Sequence, residues 1–301
     1  MYSSYELREI IERNMEMIDF SNEASDVLLC AFNHIIKKEE EFLLFSSSVE
    51  KYSDDKNTDI NTILIDIKSM ADRLYIHEYT MYMLLFLAMA DAMRSHYDKA
   101  GIDRKTFVTT LCDLKYQLDI CFDLHGVWGH CAATWQIGFL RHTTLGFGRL
   151  QFQYTTMGVN CVVDGYHLKP DSPAIFVHIP RTGTRLDHSE VVSSYKAAAE
   201  YFAPIFSGAP LVFACNSWLL YPKNFDFVSA KSNLRIFYED FSIINVEEYP
   251  DYKETWRLFD TLYTGNPDEL PADTSLRRAY IDMMKRGEKT GRALGAFVYK
   301  G

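Results

Sequence analysis

From its first residues the chain sets apolar side chains three and four positions apart. Tyr5, Leu7, Ile10, Ile11, Met15 and Ile18 make one such series, and Val27, Leu28, Ala31, Ile35 and Ile36 make another. That spacing gathers them on one face of an α-helix, so both stretches are predicted helical. The second is predicted to run through ASDVLLCAFNHIIKKEEEFLLF, with Lys37, Lys38, Glu39, Glu40 and Glu41 crossing its solvated face. SVEKYSDDKNTD at 48–59 is polar without an apolar period, which predicts a connecting loop. Further helices are predicted over TILIDIKSMADRLY, EYTMYMLLFLAMADAMRSHY and DRKTFVTTLCDLKYQLDICF, the last opened by Asp103 as N-cap. No proline occurs before Pro170, and the pattern amounts to a bundle of about five helices.

Beyond Gly126 the period changes. GRLQFQYTT, PAIFVHIP and PLVFACN are short runs rich in β-branched and aromatic residues, bounded by Gly, Pro, Asn and Asp, and they read as strands. SNLRIFYEDFSII alternates Leu234, Ile236 and Tyr238 against Arg235, Phe237 and Glu239 and is predicted to be a strand, as is RALGAFVY near the C-terminus. KETWRLFDTLY and TSLRRAYIDMMKRG are predicted helical. The expected organisation is a helical domain over 1–130 and an α/β or α+β domain over 131–301, in keeping with 301 residues at roughly 150 per domain.

Composition removes several classes. With 48% hydrophobic and 24% charged residues the chain is of the soluble globular type. A net charge of -10 and the lack of any Lys/Arg run argue against nucleic acid as partner and suit a cationic one. MYMLLFLAMADAM at 81–93 is shorter than the roughly 20 residues a bilayer span needs and contains Asp91, so it is predicted to be a buried core helix, and no membrane role is expected. The six cysteines include no CxxC pair, and the first residues lack the basic and apolar regions of a signal peptide. Reduced thiols in a cytoplasm are expected.

Candidate chemistry centres on AIFVHIPRTGTRLDHSEVVSSYKAAAEYF at 174–202. A strand ends at Pro180, a loop holds Gly183 between Arg181 and Arg185, and a helix start is marked by Asp187 and Glu190 in the form of a capping box. Val191, Val192, Tyr195, Ala198, Ala199 and Phe202 then make its apolar stripe. A strand, a glycine-containing loop and a helix N-terminus can cradle phosphate through backbone N–H groups and the helix dipole. Arg181 and Arg185 would add charge, whereas Asp187 places a carboxylate where a phosphate would sit, so the loop is either a cradle or only a turn. His125, His130 and Cys131 are near one another in sequence but lack an HExxH or CxxC spacing, and no metal is expected. There is no GxSxG elbow, and Cys215 in an apolar strand reads as a core residue.

GFGRLQFQ at 146–153, HIPRTGTRLD at 178–187, FACNSWLLYP at 213–222, ETWRLFD at 254–260 and LPADTSLRRAYIDMMKRG at 270–287, closed by GAFVY, occur in this order. Together they resemble a bacterial family of two-domain GNAT-like acyltransferases, in which a helical domain precedes one of the acyl-CoA N-acyltransferase fold. The resemblance implies a mixed sheet splayed between two central strands. The pantetheine of acyl-CoA, acetyl-CoA first, would lie in the gap, with the pyrophosphate at Arg181, Thr182, Gly183, Thr184 and Arg185. It implies Asn216 as a pantetheine contact, Ser217 or Tyr221 as the group that meets the departing thiolate, and a small-molecule or peptide amine as acceptor. The family's usual pyrophosphate signature has two small residues after its Gln or Arg, whereas RTGTRLD has one glycine and an added acid.

An amine that attacks a thioester needs a base. His178 at the end of its strand is the first candidate and Glu239 the second, against readings as a hydrogen-bonded histidine and an exposed strand carboxylate. Arg149 would hold a ligand carboxylate or phosphate, or pair with a structural acid; Trp218 is a ligand contact or a core residue. The rival function is a catalytically inactive protein of the same fold that binds CoA, a small ligand or a protein partner.

Overall fold

The computed structural model describes residues 2–301, and most helices of the first part start where a side chain can cap them. Helix α1 (Ser4–Met17) opens at Ser3, whose hydroxyl accepts from the Glu6 N–H while Glu6 accepts from the Ser3 N–H. The side chains of Ser21, Asp59, His77 and Asp103 accept from first-turn N–H groups of α2 (Asn22–Ile36), α4 (Ile60–Leu74), α5 (Glu78–Lys99) and α6 (Arg104–Leu111). Each cap satisfies one of the N–H groups that a helix start leaves unpaired.

The charge run does not cross a helix face. The chain breaks there, and α3 (Glu39–Asp54) begins with Glu39, Glu40 and Glu41 in its first turn, where the helix dipole favours acids. Helix α3 also absorbs most of the expected loop, because Phe45, Val49 and Tyr52 continue a buried stripe at helical spacing. The last predicted helix is divided at Cys112 into α6 and α7 (Asp113–His125), which ends on Gly126 at φ 66°. The most apolar stretch lies in α5, the core of this part, where Met81 through Ala90 is buried continuously apart from Tyr82. Among the described residues no helix is long and apolar enough to cross a membrane. A short helix, α8 (Gln136–Leu140), follows.

Two compact units divide between Leu145 and Gly146, whereas the sequence pattern changes at about residue 130. The second unit is built on a six-stranded sheet in the order β1-β2-β5-β6-β8-β7, with a separate hairpin β3–β4. Its strands are β1 (Thr144–Phe147), β2 (Leu150–Thr156), β3 (Cys161–Val163), β4 (Tyr166–Leu168), β5 (Pro173–His178), β6 (Val212–Ser217), β7 (Ser242–Tyr249) and β8 (Thr290–Val298). Strand β5 is antiparallel to β2 and parallel to β6, and β8 is antiparallel to both β6 and β7. Helix α9 (His188–Phe206) is the crossover between the two parallel strands and packs on one sheet face through Tyr195, which meets Phe152, Phe213 and Phe297. On the other face Ala174, Val212, Ala214, Ala296 and Val298 form a core with Val163 and Leu168 of the hairpin.

The expected strand SNLRIFYEDFSII is mostly helical. Ser232 caps α10 (Asn233–Glu239), its hydroxyl accepting from the Arg235 N–H, and the strand β7 starts only after Asp240. Glu239 is therefore a helix residue, paired with Arg235 one turn back at 2.7 Å. KETWRLFDTLY holds only one short α-helix, α11 (Trp256–Phe259), and α12 (Ser275–Lys285) fills the next predicted helix. These pieces close a small core of Phe259, Leu270, Tyr280, Ile281, Met283 and Met284.

Burial pulls His130, His142 and His178 each down to about 4. Unfolded histidine titrates near 6.5, so between about pH 6.5 and about pH 4 the unfolded chain binds protons that the folded chain does not. This contribution to stability is complete above the unfolded value and declines as pH falls toward 4. The urea midpoint is expected to be lower at about pH 5 than at about pH 7.5. His130→Phe, which keeps a ring beside Phe86, is expected to shallow that dependence.

Candidate active site

Strands β5 and β6 are paired only at Ile175 with Phe213 and Phe176 with Ala214. Beyond those positions Val177 and His178 continue to pair with β2, and Cys215, Asn216 and Ser217 with β8. The sheet is thus parted between its two parallel strands while each lip stays anchored on its outer side. Side chains alternate along a strand, so His178 and Asn216 share the face of Phe176 and Ala214 and stand at matching positions on the two lips. Asn216 is exposed. His178 Nε2 lies 3.1 Å from Gln153 Oε1, and burial holds its pKa at about 4, so the imidazole is neutral at ordinary pH.

The loop that follows β5 is braced from two directions. Arg149, in the turn between β1 and β2, donates to the carbonyls of Pro180 at 3.0 Å and Thr184 at 3.5 Å. That turn is held by Gly148 at φ 61°, where a Cβ would lie 2.7 Å from the Ser194 hydroxyl of α9, and by the Arg149 N–H donating to the same hydroxyl at 2.9 Å. In the structure Arg149 donates to loop backbone carbonyls. On the opposite side Arg181 Nε lies 3.2 Å from Asp260, which also pairs with Arg277 at 2.6 Å.

Within the loop, Gly183 takes φ 74°, a conformation that favours glycine. The Thr182 N–H donates to the Pro180 carbonyl, and the Thr184 N–H to the Thr182 hydroxyl. Two amides of the proposed phosphate cradle are thereby turned to the loop's own atoms. Asp187 caps α9 by accepting from the Ser189 N–H at 2.9 Å and its hydroxyl at 2.6 Å, bonds that hold its carboxyl below the usual range. Asp187 therefore stays ionised at the helix start. Arg185 is exposed and has no hydrogen-bond or ion-pair partner among the described residues. An anion arriving at this loop would be met by that guanidinium more than by the helix start.

The other expected site residues lie elsewhere. The Ser217 hydroxyl accepts from the Leu219 N–H and caps the short turn after β6. Tyr221 is 1% exposed, its hydroxyl donating to Glu248 at 3.1 Å and to the Lys289 carbonyl at 3.2 Å. That places the hydroxyl at the β7 and β8 side of the sheet, away from the parting. Glu239 sits on α10 in its ion pair. Trp218 meets Tyr280 edge-on at 6.3 Å, in the small core. Cys215 is fully buried and burial pushes its thiol up, which keeps it protonated. Among the described residues no group of three His, Cys, Asp or Glu side chains could hold a metal ion.

Sequence reasoning missed Gln153, the register partner of Phe176 that reaches His178 diagonally across the β2–β5 ladder, and the Asp260–Arg277 pair. It also missed a second histidine cluster. His188 Nε2, in the first turn of α9, lies 3.0 Å from Asp240, which the Tyr195 hydroxyl approaches at 3.5 Å. Burial raises the Asp240 carboxyl above its ordinary range.

A mixed sheet parted between two parallel strands, with the crossover helix starting at the lip, is the GNAT-like acyltransferase fold. Residues 145–297 match the family model described as GNAT-like C-terminal domain, and residues 9–142 match that of the N-acyltransferase N-terminal domain. The first match alone spans just over half of the chain, and the protein belongs to the GNAT-like C-terminal domain family. Three solved structures are similar in fold. An acyltransferase in complex with CoA and 10C-teicoplanin is 24% identical, with TM-score 0.64 over 74% of this chain and 67% of that one. An acyltransferase mutant in complex with octanoyl-CoA is 20% identical, with TM-score 0.75 over 97% and 88%. An acyltransferase in complex with decanoyl-CoA and teicoplanin is 20% identical, with TM-score 0.71 over 98% and 94%. No curated protein matches the sequence significantly.

The Arg277 guanidinium is the most buried member of the loop's ion network and also donates to the Leu258 carbonyl at 2.9 Å and to Asp273 at 2.9 Å. Arg277→Met keeps bulk but leaves that carbonyl and Asp260 short of a donor. A loss of about 2 kcal/mol in urea unfolding is expected, with faster amide hydrogen exchange over 180–187 because Arg181 loses a fixed partner.

Proposed function

We propose that the protein transfers an acyl group from acyl-CoA to the amine of a small molecule or peptide. The observation that carries this reading is the parting of β5 from β6 after Phe176 and Ala214, with a braced, arginine-bearing loop at its lip. A pantetheine arm is itself an extended chain of amides. The backbone groups that face the gap from Val177–His178 and Cys215–Ser217 suit it as strand-like hydrogen-bond partners. Arg185 is assigned to the phosphates at the entrance, Asn216 to the pantetheine, and His178 to the amine's proton.

A neutral imidazole can accept a proton, and Gln153 orients it, although a basicity near 4 makes the transfer depend on the acceptor's approach. Acetyl is the first expectation for the acyl group. The solved relatives bind CoA, octanoyl-CoA or decanoyl-CoA, so longer chains belong to the same reading. The net charge of -10 favours a cationic acceptor through long-range attraction. All six cysteines are free, which suits a cytoplasmic setting.

Thiol release from acetyl-, octanoyl- and decanoyl-CoA over a panel of amines tests the reading. Arg185→Ala is expected to raise KM for acyl-CoA about tenfold with kcat little changed, as for one charged hydrogen bond. His178→Gln is expected to lower kcat by about 100-fold or more. CoA binding without turnover of any amine would favour the inactive binding protein instead.

A further inference from the structure

Two thiols of the first unit stand together, apart from the parted strands. Cys121 lies on α7, and Cys131 lies in the segment that follows Gly126. The Cys121 thiol donates a hydrogen bond to the Cys131 sulfur, and the Cys131 N–H donates to that sulfur as well. Cys121 has no exposed surface, whereas Cys131 is partly exposed, and both are free.

The chain leading to Cys131 is fixed from two sides. The Trp128 ring stacks on Phe122 of α7, with centroids 3.8 Å apart. At the start of α5, the Thr80 hydroxyl donates to the Trp128 carbonyl at 3.0 Å, and the Tyr79 carbonyl accepts from the His130 N–H at 2.9 Å. Gly129 lies so close to that helix that a Cβ would be 2.4 Å from the Tyr79 carbonyl carbon. Helices α5 and α7 together therefore keep the Cys131 sulfur beside Cys121.

The thiolate is the reacting form of cysteine, and a thiol buried in apolar surroundings is inert. The bonds into the Cys131 sulfur hold its pKa below that of an ordinary thiol, while the shared hydrogen bond and burial raise that of Cys121. Cys112, Cys161 and Cys215 are all raised by burial, and Cys30 is exposed. A partly exposed thiolate next to a second, covered thiol is the arrangement in which an oxidised sulfur is captured as a disulfide.

We propose that Cys131 and Cys121 form a reversible oxidation site for hydroperoxides, in which Cys131 takes the oxidant and Cys121 closes a disulfide on it. The Cys131 sulfur attacks one peroxide oxygen, so that an S–O bond forms as the O–O bond breaks, and the departing hydroxide leaves as water with the proton Cys131 gave up. The Cys121 sulfur then attacks the sulfenic acid. An S–S bond forms, the S–O bond breaks, and the released hydroxide takes the Cys121 proton as a second water. The two thiols are oxidised and the peroxide is reduced. A small thiol reverses the bond by exchange and is itself oxidised to its disulfide, which suits the cytoplasmic setting proposed above. The site is independent of the acyl-transfer reading.

Peptide mapping of the whole chain without reductant, after an equimolar amount of hydrogen peroxide, tests it. The first product is expected to be a Cys121–Cys131 linkage within one chain, reversed by dithiothreitol, with Cys30 still open to alkylation. The linkage is expected to form about tenfold faster in the folded chain than in urea. Cys121→Ser is expected to stop at the Cys131 sulfenic acid, which dimedone traps, and Cys131→Ser to leave Cys121 unreacted. First oxidation at Cys30 or between chains, passage of Cys131 to sulfinic acid without a linkage, or a rate no faster than in urea would each overturn the proposal from the wild type alone. Oxidation of Cys121 at an undiminished rate in Cys131→Ser would overturn the assignment of Cys131 as the residue that meets the peroxide.

Discussion

Two residue pairs of parallel ladder, Ile175 with Phe213 and Phe176 with Ala214, make up the backbone pairing between the two halves of the sheet among the described residues. Continued pairing would close the gap, and a shorter contact would leave β2–β5 and β6–β8–β7 as separate sheets. The long antiparallel registers on either side supply what the centre lacks. Six residues of β5 pair with β2 and six of β6 with β8. The cost of the parting is a stretch of backbone N–H and C=O groups on each lip without ladder partners across the gap. Such groups need solvent or a ligand of matching amide chemistry, and this links the sheet's topology to the function proposed for it.

The loop leaving β5 could not hold an arginine-rich lip in place by its own bonds, since its one glycine and two threonines fix only its local turn. Three arginines do more. Arg149 ties the loop's carbonyls to the β1–β2 turn, and Arg181 reaches Asp260, which Arg277 holds from α12. These residues belong to four of the stretches that mark the family, and in the fold they meet around one loop. Exposed ion pairs contribute little singly. Here Arg277 is mostly buried and bonded to backbone, so the network fixes geometry more than it adds stability.

Much of this was legible in the chain, and what was not has physical reasons. Helical spacing and capping residues marked α1, α2, α4, α5 and α9, and Asp103 and Asp187 cap the helices they were expected to open. The misread α10 held both patterns. Leu234, Ile236 and Tyr238 alternate as a strand does, yet Ser232 before Arg235 offered a cap and Arg235 with Glu239 a one-turn ion pair. Local propensity left two answers, and packing against α9 chose between them. The charge run at 37–41 was ambiguous likewise, since three acids suit a solvated face and a first turn equally. Arg149, Gln153 and Asp260 act across long sequence separations, and spacing along the chain carries no record of such contacts.

The question of whether HIPRTGTRLD cradles phosphate changes form once the partners are known. Of the two arginines in this stretch, Arg181 is paired to Asp260, and Arg185 has no partner among the described residues. Asp187 is committed to the cap of α9, so it weakens the helix start as an anion site without blocking the loop mouth. The positive charge left for a ligand is therefore displaced from the helix axis toward Arg185. In the function proposed here, a pyrophosphate would be met by Arg185, and the helix start would keep its own carboxylate. This geometry reconciles one glycine and an added acid with a fold that binds acyl-CoA in other proteins.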